Sequence, residues 1–412
     1  MEEFKAIRGI RDILYPVSKK WDQIISRSGK LLTAHGYRKI FIPAIEYTNL
    51  FSRSIGEDTD IVSKEMYSFK DRKGRRLSLR PEGTASVVRA AVENRLLQGK
   101  VREKFFYFGP MFRYERPQKG RYRQFYQLGC EVLGSGEPFF DAEILNIAAT
   151  LADELKIKKY EIKINTVGCK KCRREYRRKI KKFLKSCRDE LCEDCRKRVN
   201  TNTLRIFDCK NKKCKEKYKN LPGLVEYLCQ ECDEYYREYK NILNSFNINY
   251  SIDNKLVRGL DYYTGPVFEI LNKKSAILAG GRYNNLTKQL GGPDIPACGW
   301  AMGLERMAAV SRLETGPVPE AYLILIGTKG MEISRKIALK LRNKGVSLEE
   351  DYGDISVGKK FKIANRKDVR WVLILGEEEI NTKKISLKDM KTGEQETVRM
   401  DKIEKIVRKI KC

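Results

Sequence analysis

Apolar side chains recur at helical spacing through Trp21, Ile24, Ile25, Leu31 and Leu32, which predicts an amphipathic helix near the start of the chain. The segment KIFIPAIEY (39–47) switches to a strand pattern broken by Pro43. After the turn PEGT (81–84) a second helix is predicted, with Val87, Val88, Ala91, Val92 and Leu96 as its apolar positions. Residues 104–134, KFFYFGPMFRYERPQKGRYRQFYQLGCEVLG, read as a long antiparallel hairpin that turns over 116–121. Alternation on its second strand separates Tyr122, Gln124, Tyr126, Leu128, Cys130 and Val132 from Arg123, Phe125, Gln127, Gly129 and Glu131. Strand-like patterns return from about 255 to 310. A Cys/Lys-rich stretch with short helices of its own lies between, and it reads as an insertion into one interrupted domain. The expected boundaries are 1–165 with 250–316 for the interrupted domain, 166–249 for the insertion and 320–412 for a last domain. That last domain follows the run GPVP (316–319) and reads AYLILIG, a helix to Gly345, VSLEEDYG, a helix over 356–368, then RWVLILG. The order is βαβαβ, an α/β domain of about ninety residues.

Composition narrows the setting. No apolar run approaches the length of a membrane span, and MEEFKAIRGIRD has no apolar core of a secretion signal, so a soluble cytoplasmic protein with no membrane partner is expected. Lys and Arg number 84 against 54 Asp and Glu, a net charge of +30. That excess exceeds what solubility needs and points to a polyanionic partner, most simply nucleic acid. A single histidine excludes any chemistry that needs two imidazoles. Nine of the twelve cysteines fall between Cys169 and Cys232. In a chain long enough for a sizeable core these read as reduced thiols, with metal the first hypothesis.

Candidate chemistry concentrates on the hairpin. An aromatic plane at Phe125 between Arg123 and Gln127 suits a nucleotide, whose base stacks while guanidinium forks grip phosphate. Gly129 weakens a strand unless space is needed there. Arg113 and Glu115 have the spacing to join that surface. Further on, LVRGLDYYTGPVFEI (256–270) is a strand-like run carrying Arg258 and the pair Tyr262 and Tyr263, followed by the glycine-rich AGGRYNNL (279–286). PACGWAMGLERM (296–307) has Gly299 and Gly303, where backbone can approach a ligand closely, then a helix bearing Arg306.

At these residues the sequence resembles class II aminoacyl-tRNA synthetases, and among them the histidyl-tRNA synthetase family, over nearly the whole chain. RGIRD and the helix running into KIFIPAIEY are similar to the family's start and its dimer-forming first motif, with Pro43 as the motif proline. FRYERPQKGRYRQFYQ resembles the second motif and GWAMGLERM the third. LVRGLDYYTGPVFEI, LRPEGTA and the GGRY segment resemble signatures of the histidine enzyme. The implied fold is α+β, an antiparallel sheet flanked by helices with an insertion domain, plus a C-terminal α/β anticodon-binding domain. The implied partners are L-histidine, ATP with Mg²⁺, tRNA and a second copy of the chain.

The resemblance also implies roles. Glu82, Thr84 and Gln127 fall where the family binds the α-amino group, and Glu131 with Tyr263 where it binds the imidazole, with Tyr262 beside them. Phe125 would stack on adenine, Arg113 would hold the α-phosphate with Glu115 nearby, Arg121 and Arg306 would reach the γ-phosphate, and Arg258 would face the α-phosphate from the opposite side. Arg116 and Gln118 in the hairpin turn are the candidates for the tRNA acceptor end. A relative with the same fold, the regulatory subunit of ATP phosphoribosyltransferase, would need the histidine pocket without the tRNA apparatus. The RPQKGR loop, Arg306 and a complete C-terminal domain favour the enzyme.

Cysteine spacing suggests two four-thiolate zinc sites. Cys169 and Cys172 with Cys192 and Cys195 fit one, and Cys209 and Cys214 with Cys229 and Cys232 a second, although other combinations of the pairs are open. Cys130, Cys187, Cys298 and Cys412 stand outside the scheme. Such sites would stabilise a lysine-rich module with little core of its own. In RREYRRKIKKFLK (173–185), Tyr176 among the cations favours RNA contact. GDISVGKK (353–360) nearly matches a phosphate loop, but its last position is Lys360, which has no hydroxyl for Mg²⁺. Lys359, Lys360, Lys362 and Arg366 are candidates for RNA phosphates instead, and His35 is expected to be structural.

Overall fold

The computed structural model describes residues 4–57, 59–118, 120–199, 203–209, 211–219 and 221–411. The chain divides into two compact units, Met1–Leu313 and Glu314–Cys412. In the first, helix α1 (Val17–Ala34) buries Trp21, Ile24, Ser28 and Leu32. The Ser28 hydroxyl donates to the Ile24 carbonyl at 2.7 Å, so its burial strands no polar group. His35 caps this helix and sits 3.8 Å from Glu143, a structural position. Strands β1 (Arg38–Lys39) and β2 (Ile45–Tyr47) lie on either side of Pro43. The chain between them leaves the ladder because the buried Arg80 takes its carbonyls, bonding Ile42, Pro43 at 3.1 Å and also Pro110 at 2.8 Å. Helix α2 (Thr48–Ile55) leads to β3 (Ser68–Lys70) and β4 (Arg76–Leu79), a small sheet ordered β2-β4-β3. Helix α3 (Thr84–Glu93) buries Val87, Val88 and Ala91; it ends before Leu96, which is exposed.

The hairpin is formed by β5 (Glu103–Phe112) and β6 (Gln124–Leu133), paired from Glu103 opposite Leu133 to Phe112 opposite Gln124. Helix α4 (Pro138–Glu154) starts on a proline whose missing N–H costs nothing there. After β7 (Tyr160–Thr166) come the insertion helices α5 (Lys170–Ser186), α6 (Glu193–Arg198), α7 (Lys212–Tyr218) and α8 (Gln230–Ser245). The chain returns through β8 (Ser251–Ile252), β9 (Pro266–Asn272), β10 (Ser275–Arg282), the short α9 (Leu286–Gln289), β11 (Ala297–Gly303) and α10 (Leu304–Val310). The main sheet runs β1-β5-β6-β11-β10-β9-β7-β8, antiparallel except at its two edge pairs. Residues 256–265 are a loop rather than the strand their composition suggests. Their backbone groups bond to the chain entering the insertion, to the end of α2 and to Arg282, so no neighbouring strand can pair with them.

One face of the sheet carries the main core, with Leu128, Cys130, Val132, Phe268 and Trp300 packed under α1, α4 and α10. Helix α8 joins that core through Tyr236, Tyr239 and Leu243, so the last insertion helix rests on α4. A buried ion pair, Arg282 to Asp141 at 2.6 Å, ties β10 to α4, and Tyr235 of α8 donates to the same carboxylate. The rest of the insertion has a cluster of its own, built from Tyr176, Ile180, Leu184, Leu191, Val199, Ile206 and Tyr218 around the cysteines. Tyr176 is therefore a core residue, its hydroxyl on the Pro222 carbonyl at 2.7 Å, and is not available to RNA.

The second unit alternates β12 (Ala321–Leu325), α11 (Met331–Asn343), β13 (Leu348–Asp351), α12 (Val357–Arg366) and β14 (Trp371–Leu375), the three strands parallel. Strands β12 and β14 are buried throughout, which is why they read as unbroken apolar runs. Helix α13 (Glu377–Thr382), the hairpin β15 (Lys384–Asp389) with β16 (Gln395–Arg399), and α14 (Ile403–Lys411) extend the domain beyond βαβαβ. The sheet order is β13-β12-β14-β15-β16. Lys360 points inward, donating to the Leu325 carbonyl at 2.8 Å and the Asp351 carbonyl at 3.3 Å, so it is neither a phosphate-loop lysine nor an RNA contact. Lys359, Lys362 and Arg366 are exposed. Among the described residues no helix is long and apolar enough to cross a membrane.

Candidate active site

The face of the main sheet away from α4 opens into a cleft of about 410 Å³. Its floor is built by alternation across three strands. Gln127 and Glu131 of β6 stand opposite Gly303 and Gly299 of β11, and Gly281 of β10 continues the row. Two glycines here are required by close approach. A Cβ on Gly299 would lie 1.8 Å from Glu131 Oε2, and one on Gly129 would lie 2.5 Å from the Tyr107 hydroxyl. The space that Gly129 leaves is thus filled by Tyr107, not by the cleft. Strand alternation fails at the hairpin mouth, where the ladder ends at Gln124. Tyr122 consequently lines the cleft, while Arg123 packs over the Tyr114 ring at 4.0 Å.

One end of the cleft is acidic and aromatic. Glu82 precedes α3 and accepts from the Thr84 and Ala85 N–H groups at 2.7 and 2.9 Å. The Thr84 hydroxyl donates to Glu131 Oε1 at 2.8 Å, and the Tyr283 hydroxyl donates to Oε2. Burial pushes the Glu131 carboxyl up to about 8, with the nearby Glu82 adding to the rise and the Tyr283 and Thr84 donors opposing it. Burial also raises Glu82, against the pull of its two N–H donors. Tyr262 and Tyr263 close this end, with ring centroids 4.8 Å apart and Tyr283 at 5.5 Å from Tyr262. The amide oxygen Oε1 of Gln127 is buried without a partner, a polar atom waiting for a donor.

The other end is cationic. Arg113 donates to the Pro81 carbonyl at 2.9 Å and lies over the Phe125 ring at 5.2 Å. Arg121 donates to Glu115 at 3.0 Å. Arg306 is anchored on the Gly120 carbonyl at 3.0 Å and the Ala276 carbonyl at 2.8 Å. Burial pulls Arg306 below the usual guanidinium value, and Arg121 and Arg113 pull it further, with Glu115 and Glu305 opposing them. Arg258 enters from the opposite wall, paired with Glu269. Glu115 and Glu305 are carboxylates at the same end.

The cleft therefore brings together Glu82, Thr84, Gln127, Tyr262, Tyr263, Arg113, Glu115, Arg121, Phe125, Arg258 and Arg306, with Glu131 beneath the floor. Arg116 and Gln118 lie outside it on the exposed turn. Sequence reasoning missed Tyr283, Tyr122, Glu269 and Glu305. Tyr283 had one signal, its position two residues after the paired glycines 280 and 281.

The cysteines converge as two quartets, but not in the pairing suggested by spacing. Cys169, Cys172, Cys229 and Cys232 form one, and Cys192, Cys195, Cys209 and Cys214 the other, all Sγ atoms of each within 4.8 Å of one another. Helix α5 overturns the first pairing. From Cys172 to its end at Ser186 it carries the chain about 21 Å away before Cys192 is reached. The thiol separations of 3.5, 3.9 and 3.7 Å exceed any disulfide and approach the ~3.8 Å edge of a tetrahedral ZnS₄ centre. Cys169, Cys192 and Cys229 each stand at a helix N-terminus. Partial burial pushes Cys169 up, but the Cys172 and Lys171 N–H donors pull it down to about 7. Cys187 lies outside both quartets, and Cys412 falls outside the described residues.

An antiparallel sheet bearing an arginine-rich cleft between β6 and β11, joined to a five-stranded α/β domain, is the architecture of a class II aminoacyl-tRNA synthetase. Residues 9–307 match the family model for histidyl-tRNA synthetase, and residues 320–410 match that of an anticodon-binding domain. The histidine–tRNA ligase of Halothermothrix orenii is 43% identical over 402 residues, covering 95% of this chain and 96% of that protein. The crystal structure of apo S. aureus histidyl-tRNA synthetase superposes with a TM-score of 0.79 at 32% identity, covering all of both chains. An ATP phosphoribosyltransferase regulatory subunit/histidyl-tRNA synthetase from Bacillus halodurans shares the fold at 19% identity, with a TM-score of 0.68 over 91% of this chain and 99% of that one. The chain belongs to the histidyl-tRNA synthetase family.

Proposed function

We infer that this chain activates L-histidine with ATP and transfers it to the 3′ end of its cognate tRNA. The observation that carries the reading is one cleft with two chemically opposite ends. Glu82, Thr84 and Gln127 suit an α-ammonium group. Glu131 and Tyr263 suit the two ring nitrogens, and a site that pairs both strands its own polar groups when an apolar isostere enters. At the other end Phe125 offers a plane for adenine, Arg113 faces the α-phosphate, and Arg121 and Arg306 face the γ-phosphate. The histidine carboxylate attacks the α-phosphorus, pyrophosphate leaves, and the aminoacyl-adenylate then esterifies the tRNA. No side chain acts as nucleophile. Arg258 supplies fixed positive charge where it develops on the phosphorus, so catalysis is positioning plus electrostatics. Mg²⁺ belongs to the nucleotide substrate. Glu115 and Glu305 are the hard oxygen donors beside the triphosphate, and among the described residues no acidic cluster converges to hold the ion by itself.

The tRNA acceptor end meets Arg116 and Gln118 on the exposed turn, and Lys359, Lys362 and Arg366 meet RNA in the anticodon-binding domain. Each cysteine quartet binds one structural zinc ion, supported by thiol separations that match a ZnS₄ centre. The protein works in the cytoplasm as a homodimer. Exposed Phe41, Ile45 and Tyr47 along the first motif support that assembly.

Arg258→Ala tests the reading. It is expected to abolish histidine-dependent ATP–pyrophosphate exchange while the melting temperature and circular dichroism stay unchanged; full exchange activity would remove Arg258 from its role. Metal analysis of protein purified without chelator tests the zinc, and less than about half an equivalent would end that part.

A further inference from the structure

The loop 256–265 carries Arg258, Tyr262 and Tyr263 into the cleft, yet it belongs to no strand ladder. Ile55 at the end of α2 and Arg282 at the end of β10 each accept one of its N–H groups, and the insertion supplies the remaining ties. Val167 N–H donates to the Gly265 carbonyl at 2.8 Å and Gly265 N–H to the Gly168 carbonyl at 3.3 Å, immediately before Cys169. Arg173, one residue after Cys172 in the first turn of α5, donates to the Tyr263 carbonyl at 3.1 Å. Arg205, on the turn of helix that ends just before Cys209, donates to the Gly259 carbonyl and stands 3.9 Å from Asp261. Each arginine thus stands close along the chain to a cysteine of a different quartet, Arg173 next to Cys172 and Arg205 four residues before Cys209.

We propose that Arg173 and Arg205 are positioning residues for histidine binding, and that the two cysteine quartets hold them against the loop that carries the tyrosine pair. Neither arginine lines the cleft, so each acts on substrate only through the main chain of that loop. The consequence is selective. Phe125, Arg113, Arg121 and Arg306 stand on the hairpin and on α10, apart from the insertion, whereas the loop carries Tyr262 and Tyr263 at the histidine end together with Arg258, whose charge serves the chemical step rather than the binding of ATP. Releasing the loop therefore weakens histidine before it weakens ATP. The metal-dependent half of this proposal rests on the zinc reading above; the arginine half does not.

The test is pyrophosphate exchange with the full chain as purified. Arg173→Ala is expected to raise the KM for histidine about tenfold, the loss of one hydrogen bond from a charged donor, with the KM for ATP and the melting temperature held. Arg173→Lys, which keeps one donor, is expected to recover most of it. An unchanged histidine KM, or equal rises in both KM values, overturns the proposal. Cys229→Ser with Cys232→Ser is expected to lose about one zinc equivalent and reproduce the same histidine-selective defect. Loss of the ion with the histidine KM unchanged overturns the metal-dependent half. Wild-type protein without zinc removes that half too, while the Arg173 variants still decide the other.

Discussion

A carboxyl held at about 8 beneath the substrate pocket makes Glu131 a proton carrier at neutral pH. Its folded value is raised above the ordinary carboxylate range, so between about pH 4.5 and 8 the folded chain keeps a proton that the unfolded chain gives up. Stability is then greatest on the acid side of that window and declines as pH rises through the folded value. Glu131→Gln, which cannot titrate, is expected to flatten the decline in melting temperature from pH 5 to 8, and an unaltered slope would contradict the assignment. The same variant leaves Thr84 and Tyr283 a neutral acceptor but can neither give a proton up nor take one from the imidazole, so the histidine KM should rise roughly tenfold. Gly299→Ala would place a methyl group against the Glu131 carboxylate and is expected to lower histidine activation with the fold retained. The glycine was legible in the sequence as a place of close approach. What approaches it is a side chain of the neighbouring strand, which no local pattern records.

At the scale of elements, the hairpin and the third-motif strand were legible because one-sided burial imposes strict alternation. The faces of Leu128, Cys130 and Val132 against Gln127 and Glu131 follow directly from it. Where burial is not one-sided the pattern misleads. Residues 256–265 have the composition of a strand but spend their backbone groups on other segments. The cysteine pairing failed for a different reason, since spacing along the chain ignores the length of the helix between two knuckles. The buried tie between β10, α4 and α8 lay beyond reach too, because Asp141 and Arg282 are 141 residues apart. Asp141→Ala strands Arg282 in the core, and a loss of ~3–5 kcal/mol in unfolding free energy is expected from denaturant titration. A change below about 1 kcal/mol would mean that the pair is replaceable.

Across the whole molecule, the surplus of +30 divides between cleft arginines that meet ATP and surface cations that meet tRNA. Two tetrathiolate zinc ions would reduce it by about 4, since each centre carries about −2. The chain stays strongly basic, so tRNA affinity is expected to fall steeply as salt rises from 50 to about 200 mM, with a linear log–log slope. A flat slope would assign binding to uncharged contacts. The fold, the cleft and the partner class were all readable from the sequence, since motifs carry chemistry at fixed spacing. The metal pairing and the loop tethers needed the structure. The central claim is one of substrate choice, and amino-acid-dependent ATP–pyrophosphate exchange measures it most directly. With each of the standard amino acids supplied in turn, histidine alone should drive exchange, and the activated histidine should then charge tRNA. Exchange driven equally by another amino acid, or none with histidine, would contradict the account.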